Sequence, residues 1–402
     1  MIAHSRAAVV TIVIGLGTGV GSGTANGVRI EPLSTPAAEA SLTGNLSALG
    51  DVVYLSWLEQ RADGHALMVA SLDGDAFGPP ETIRTSAAFF ANWADFASTL
   101  PLPSGRLVAQ WLETSAASPY AYDVWIATST DRGRTWEPVA RPHRDGTPRE
   151  HGFVSMVSDG DDGFTAVWLD GRAFRDGAPD NEMRLMSTTF EGGRFHAEQP
   201  LDTRVCECCQ TGMARTSDGL VAVYRDRSPD EVRDIGLVRF VDGAWTAPRI
   251  LNRDGWTING CPVNGPQVAA ADERVAVAWF TAAGADAKVQ LVTSTDGSER
   301  FGQPMRIDSG RPVGRVDVEM LGEDIVVSWL ERGDDERAEV RLQRISAAGT
   351  VVASATVART GAARASGFPR LAVRGSDVFV TWTDTYAGDR PSRVRVAKVT
   401  FE

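Results

Sequence analysis

The sequence predicts an all-β chain folded as a seven-bladed β-propeller. Three observations lead there. A β-rich run ending in an aromatic residue recurs seven times at a nearly constant interval, and Gly/Asp turns recur in step with it. The last repeat stops one strand short, while the N-terminal region supplies a strand to spare.

The recurring runs are Tyr54-Leu55-Ser56-Trp57, Val108-Ala109-Gln110-Trp111, Ala166-Val167-Trp168, Ala222-Val223-Tyr224, Val277-Ala278-Trp279, Val327-Ser328-Trp329 and Val380-Thr381-Trp382. Their aromatics are 54, 57, 56, 55, 50 and 53 residues apart. A period in this range marks a propeller or similar array rather than two unrelated domains. Each unit has the same parts. A first strand is followed by a Gly/Asp turn such as Ser217-Asp218-Gly219, then by the aromatic strand. A loop of variable length leads to a third strand such as Val124-Trp125-Ile126-Ala127-Thr128, and an aromatic-x-Pro segment such as Trp136-Glu137-Pro138 opens a fourth. Four antiparallel strands make a propeller blade. No stretch shows helical periodicity. The last unit ends at Val394 to Phe401, and Val28-Arg29-Ile30-Glu31-Pro32-Leu33 reads as the strand that completes it. Such closure removes an exposed sheet edge. Six blades with an irregular cap is the alternative.

At the N-terminus, Arg6 precedes an apolar run from Ala7 to Gly21, which ends in the small residues Ser22-Gly23-Thr24-Ala25. This reads as a secretory signal over residues 1–25, with a mature chain starting near Asn26 and a single propeller domain over 26–402. A membrane anchor is the alternative, but the run is shorter than the ~20 residues a spanning helix needs. The expected location is periplasmic or secreted. With 52 acidic and 40 basic residues, the 402-residue chain carries a net charge of −12, which argues against nucleic acid or an anionic membrane as partner. A monomer acting on a small molecule, a glycan or a metal ion is expected.

Ser129-Thr130-Asp131-Arg132-Gly133-Arg134-Thr135-Trp136 matches the pattern S-x-D-x-G-x-T-W. Ser294-Thr295-Asp296-Gly297-Ser298-Glu299-Arg300-Phe301 is a degenerate copy and Ser71-Leu72-Asp73-Gly74-Asp75-Ala76-Phe77 a shorter one. All three fall between third and fourth strands. The Asp can bond backbone donors in the turn and the Gly permits positive φ. On these residues the chain resembles the sialidase-like Asp-box (BNR-repeat) propellers across nearly all of its mature length. It is also similar to exported proteins regarded as exo-α-sialidases, through Glu150-His151-Gly152-Phe153-Val154-Ser155, Trp168-Leu169-Asp170-Gly171-Arg172, Cys206-Glu207-Cys208-Cys209 and Gly260-Cys261-Pro262-Val263-Asn264-Gly265-Pro266. The resemblance implies a glycoside hydrolase, with three arginines for a carboxylate, a Tyr–Glu nucleophile and an Asp acid/base. That set does not map onto this sequence. Val28-Arg29-Ile30-Glu31-Pro32 departs from the expected arginine motif. Tyr54 and Tyr224 sit in the aromatic-strand pattern, and Tyr120, Tyr122 and Tyr386 read as loop residues without a nucleophile's context.

The repeat itself points to one site. Inner strands of a propeller line its axis, so their starts meet at one mouth. Cys206, Cys208, Cys209 and Cys261, all the cysteines of the chain, fall at such starts in two consecutive units. Glu150 and His151 take the same place one unit earlier, and Asn92, Trp93 and Asp95 two units earlier. Loops after the aromatic strands bring Asp170, Arg172, Arg225, Arg227 and Asp234. Three readings of the cysteines stand. An even count in an exported chain favours disulfides, with Cys206 or Cys208 joined to Cys261. Clustered thiolates with His151 suit copper or zinc, and the C-x-C-C spacing, unlike a zinc finger's, favours copper. Met156 and Met213 are further thioether candidates, with core packing as their plainer role. A free, redox-active thiol set is the third reading. For an enzyme, Glu150, Asp170 and Asp234 are the candidate catalytic carboxylates, and Arg172, Arg225 and Arg227 the candidate ligand-binding cations.

Overall fold

The computed structural model describes residues 23–25, 27–138, 140–174, 182–335, 337–385 and 391–402. Among these, the strands form seven antiparallel sheets, each the product of one repeat. In blade one Ser41–Leu49, Val52–Arg61 and Gly64–Asp73 pair in order, with Glu81–Ser86 on the outer edge. Blade two runs from Ser98–Pro101 through Leu107–Thr114 and Tyr122–Ser129 to Glu137–Pro138. Blades three to six repeat the order, with inner strands His151–Asp159, Gly212–Thr216, Gln267–Ala271 and Pro312–Leu321. Outer strands range from the two residues Glu137–Pro138 in blade two to the eleven of Val351–Gly361 in blade six.

The ring closes as the unfinished repeat requires. Val28–Leu33 pairs antiparallel with Arg393–Phe401, placing Val28 opposite Phe401 and Leu33 opposite Val396. Val28 is 1% exposed and packs with Val378, Val399 and Leu371 of that blade. Gly23–Ala25 pairs outside it. The proposed signal run from Ala7 to Gly21, Asn26 and Tyr386 lie outside the described residues.

The recurring aromatics seal the blades against one another. Trp57, Trp168, Trp279 and Trp329 are fully buried in the second strands, each removing roughly 150–250 Å² from water. Their indole N–H groups need acceptors, and a carboxylate two residues on supplies one in four blades. Trp57 donates to Glu59 at 2.8 Å, Trp111 to Glu113 at 3.1 Å, Trp168 to Asp170 at 2.7 Å and Trp329 to Glu331 at 2.6 Å. The sequence shows this aromatic-x-acid pattern plainly, yet it was not read as part of the repeat.

A second device joins neighbouring blades at the mouth. Inner strands of blades one, three and six each carry a bulge with a side-chain-bearing residue at positive φ: Thr43 at 51°, Phe153 at 53° and Arg315 at 59°. Left-handed backbone costs such residues roughly 1–2 kcal/mol. In each case the preceding blade holds the strained N–H. Thr43 donates to Thr383 Oγ1 at 3.2 Å, Phe153 to Asp95 Oδ1 at 2.7 Å and Arg315 to Asn264 Oδ1 at 2.6 Å. The Asp-box has the expected structural role. Asp131 accepts the Thr135 N–H at 2.9 Å, and Trp136 Nε1 donates to the Gly133 carbonyl at 2.8 Å.

Candidate functional site

The loops entering blades four and five bring the four cysteines together. Cys206, Cys208 and Cys209 lie on the loop before Gly212–Thr216, and Cys261 on the loop before Gln267–Ala271. Cys206 and Cys209 are buried, Cys208 is half-buried and Cys261 is exposed. All four are free thiols. The Cys206 thiol donates to Cys209 at 3.1 Å and lies 4.0 Å from Cys208. One sulfur from each of these three lies within 4.8 Å of the others. Cys261 lies outside this group, and its thiol interacts with that of Cys208.

The two loops are locked together. Gln210 Oε1 accepts the Gly265 N–H at 2.9 Å, and Gln210 Nε2 donates to the Ala94 carbonyl at 2.7 Å. Gly265 must be glycine, because a Cβ there would lie 1.9 Å from the Gln210 carbonyl oxygen. Arg225, at the end of Gly219–Arg225, is 1% exposed. It donates to the carbonyls of Asn264 at 3.0 and 2.9 Å, Arg233 at 2.7 Å and Phe280 at 2.5 Å, with its guanidinium carbon 5.1 Å from the Trp256 ring centroid. These partners are neutral. A buried guanidinium needs an anion, and the Arg225 charge acts on both the Asp254 carboxylate and the Cys209 thiol. Burial raises the Cys209 thiol, but bonds from Cys206 and Cys208, the Arg225 charge and the Asn264 N–H outweigh that and hold it well below the usual thiol range. Cys206 is lowered by its bond with Cys208 but raised more by its bond to Cys209 and by burial, and is pushed up to about 12. Cys208 is raised, first by its bond to Cys206. Cys209 is therefore the thiol of this loop most readily ionised. Cys261 is lowered, chiefly by its bond with Cys208.

Around this cluster the predicted cations are already paired. Arg227 forms ion pairs with Glu207 and with Glu231 at 2.8 Å. Arg172 grips Asp170 with two bonds of 2.7 and 2.6 Å and also pairs with Glu198. Of the predicted carboxylates, Asp170 is fully buried between Trp168 and Arg172, and Asp234 accepts the Gly255 N–H at 2.8 Å. Glu150 differs. It accepts a 2.6 Å bond from Tyr122, and burial pushes it up to about 7, with the Glu207 charge adding to the rise.

Tyr122 corrects the sequence reading. It opens the strand Tyr122–Ser129 rather than lying in a loop, is 1% exposed, and stacks on Phe90 with centroids 4.0 Å apart. The polar Pro-Tyr-Ala-Tyr-Asp context concealed a partner 32 residues upstream. Burial, with Asp95 and Glu150 beside it, raises the Tyr122 phenol well above its ordinary value. That phenol is a proton donor and a poor nucleophile. Tyr120, by contrast, is 69% exposed.

His151 is engaged by oxygen. Its Nδ1 lies 3.1 Å from the Arg149 carbonyl and its Nε2 3.1 Å from Asp145 Oδ1. Both partners are acceptors, so both ring nitrogens carry protons. Burial lowers His151, but the Asp145 bond and the charges of Asp170, Asp145 and Asp123 raise it further. His143 stacks on it with centroids 3.8 Å apart and planes 7° apart, and its Nε2 accepts the Val124 N–H at 3.2 Å. Burial keeps His143 low and neutral. Sequence reasoning missed His143, Asp123 and Asp145, because the loop carrying Asp145 has no place in the repeat. Met156 and Met213 line the central channel, a cavity of about 270 Å³ that Asp95, Asp317, Glu319 and Arg370 also face.

No protein-family model matches the sequence, and no curated protein matches it. Solved structures do. A protein of unknown function from Dyadobacter fermentans is 14% identical, with a TM-score of 0.54 over 94% of this chain and 100% of its own. An ancestral GH74 enzyme is 13% identical, with a TM-score of 0.52 over 91% of this chain and 50% of its own. NanB, in complex with Optactamide, is 8% identical, with a TM-score of 0.49 over 93% of this chain and 94% of its own. At these identities the likeness shows the fold alone.

Proposed function

We propose that the chain is an exported metal-binding propeller of the sialidase-like Asp-box type, in which a soft ion, copper or zinc, is held at the thiols of Cys206, Cys208 and Cys209, with Cys261 of the next blade beside them. The observation that carries this reading is the packing of the Cys206, Cys208 and Cys209 sulfurs within 4.8 Å of one another on one loop. Bonds from Cys206 and Cys208 and the Arg225 charge hold the Cys209 thiol well below its usual range, which favours the thiolate such an ion binds. Thiolates are the ligands such ions prefer, and each ligand must lose its proton to bind. His151 falls outside the ligand set, since both of its nitrogens already meet oxygen acceptors. The test is metal analysis of the full chain isolated from its native compartment, with a count of free thiols. Bound copper or zinc that is lost in Cys209→Ser supports the reading. Absent metal together with oxidised cysteines overturns it in favour of disulfides.

A carbohydrate-active reading has one observation in its favour. Glu150, pushed up to about 7, keeps a share of its protons near neutrality, as a general acid requires. Hydrolysis of aryl glycosides that disappears in Glu150→Gln and survives Cys209→Ser would support it. Export is tested by the N-terminus of the mature protein, expected near Asn26.

A further inference from the structure

We propose that Cys206, Cys208 and Cys209 form a three-sulfur Cu(I) site, and that Cys261 is the thiol through which the ion enters and leaves it. This rests on the thiol reading above and specifies its ion and its route.

The three-sulfur set belongs to a single loop. Sulfurs held ~2.3 Å from an ion in a trigonal plane stand about 4.0 Å apart. The Cys206–Cys208 separation is 4.0 Å, and the 3.1 Å between Cys206 and Cys209 has only to open slightly. Trigonal thiolate geometry leaves a structural zinc one ligand short, since zinc in such sites takes four. It leaves Cu(I) complete. The Gln210 bonds to the Gly265 N–H and the Ala94 carbonyl anchor the end of this loop. Arg225 offsets one of the charges the three thiolates would carry.

Cys261 differs in origin and exposure. It comes from the next blade and is exposed, whereas Cys206 and Cys209 are 1% and 2% exposed. It lies outside the three-sulfur group and interacts with Cys208, the half-buried member of the three. An incoming ion carried by a thiol or chelator donor therefore meets Cys261 first. A Cu–S bond to Cys261 forms as a bond to the donor breaks, and the Cys261 proton leaves to water. The Cu–S bond to Cys208 then forms, followed by those to Cys206 and Cys209, and the Cys208 and Cys206 protons leave to water as their bonds form. The Cys261 bond breaks and that sulfur regains a proton. Copper stays monovalent throughout, so no oxidant or reductant is consumed.

The experiment uses the full chain under anaerobic conditions, with Cu(I) supplied as its complex with a chromophoric chelator and zinc supplied separately. Cys261→Ser should keep one Cu(I) per chain with affinity within about threefold of wild type, while Cys209→Ser loses about a hundredfold or more. X-ray absorption on copper-loaded Cys261→Ser should still show three sulfurs. Its Cu(I) uptake and release should slow by about tenfold, and its zinc affinity should fall by about a hundredfold. If Cys261→Ser loses Cu(I) as severely as Cys209→Ser, the site has four sulfurs and the proposal is overturned. Exchange at the wild-type rate also overturns it, with the metal-binding reading left standing. If wild type binds neither ion, both readings fall together. Circular dichroism of each variant separates ligand loss from unfolding.

Discussion

Arg225, the last residue of the strand Gly219–Arg225, and Cys209, on the loop that enters the same blade, are both buried, and the Arg225 charge helps hold the Cys209 thiol well below its usual range. The guanidinium is satisfied by the carbonyls of Asn264, Arg233 and Phe280, while the Asn264 N–H bonds the Cys209 sulfur. One residue of blade five thus bridges the charge and the thiol.

Replacing Arg225 with Met removes the charge and keeps much of the volume. The Cys209 thiol should then rise toward or above its ordinary range, with loss of thiolate absorbance at neutral pH. Because Asn264 and Phe280 lose their donor, stability should fall by about 3–5 kcal/mol in denaturant unfolding. Unchanged thiolate absorbance would show that Cys209 does not depend on Arg225.

His151→Gln separates the histidine cage from the thiols. Bound copper or zinc should stay at the wild-type level, while stability falls by about 2–4 kcal/mol near pH 6 as Asp145 and Asp170 lose a buried cation. The pH dependence has a definite sign. His151 is raised above 6.5 in the folded chain, so its contribution is complete below 6.5 and is lost as pH rises through the raised value. The gap between wild type and variant should therefore narrow on the alkaline side. Metal loss in His151→Gln would return His151 to the ligand set.

Glu319 faces the central channel, where burial and then the Asp317 charge push it up to about 8 against the pull of Arg370. The folded chain holds a proton there that the unfolded chain releases near 4.5. Stability from this group falls as pH rises from 4.5 to about 8 and is flat beyond. Glu319→Gln imitates the protonated acid, and should be more stable than wild type above pH 8 by about 2 kcal/mol, with no advantage near pH 4. Parallel unfolding curves for the two proteins at both pH values would contradict this.

Ring closure can be tested at Val28. Val28→Ala should cost about 2 kcal/mol, because its neighbours in blade seven cannot collapse around the gap. Deleting residues through 33 should cost far more, exposing the edge of Arg393–Phe401 and promoting aggregation. Deleting residues through 25 removes only the outermost pairing and should leave the melting temperature nearly unchanged. A similar loss from both deletions would show that the terminal strand is not the closing element.

The sequence by itself determined the propeller. Repetition is visible in one dimension, because every blade needs the same aromatic second strand and the same turns. The closing strand followed from counting, as Val394 to Phe401 left the seventh unit incomplete. Repetition also placed Cys206, Cys208, Cys209 and Cys261 at one mouth, since equivalent strand starts meet at the axis. Tertiary structure alone decided what those residues do there. Arg225 reads in sequence as a loop cation for a ligand and is in fact buried, because the Asn264 and Phe280 carbonyls that receive it come from the next repeat. His151 turned from sulfur to the carboxylates of Asp123, Asp145 and Asp170, which lie outside the repeat pattern or are shared with a tryptophan. Tyr122 was drawn inside by Phe90. In each case a polar side chain's partner lies across a loop or a blade boundary. Periodicity records which residues recur, while pairing depends on where irregular loops fold back, and that is set by packing rather than by spacing.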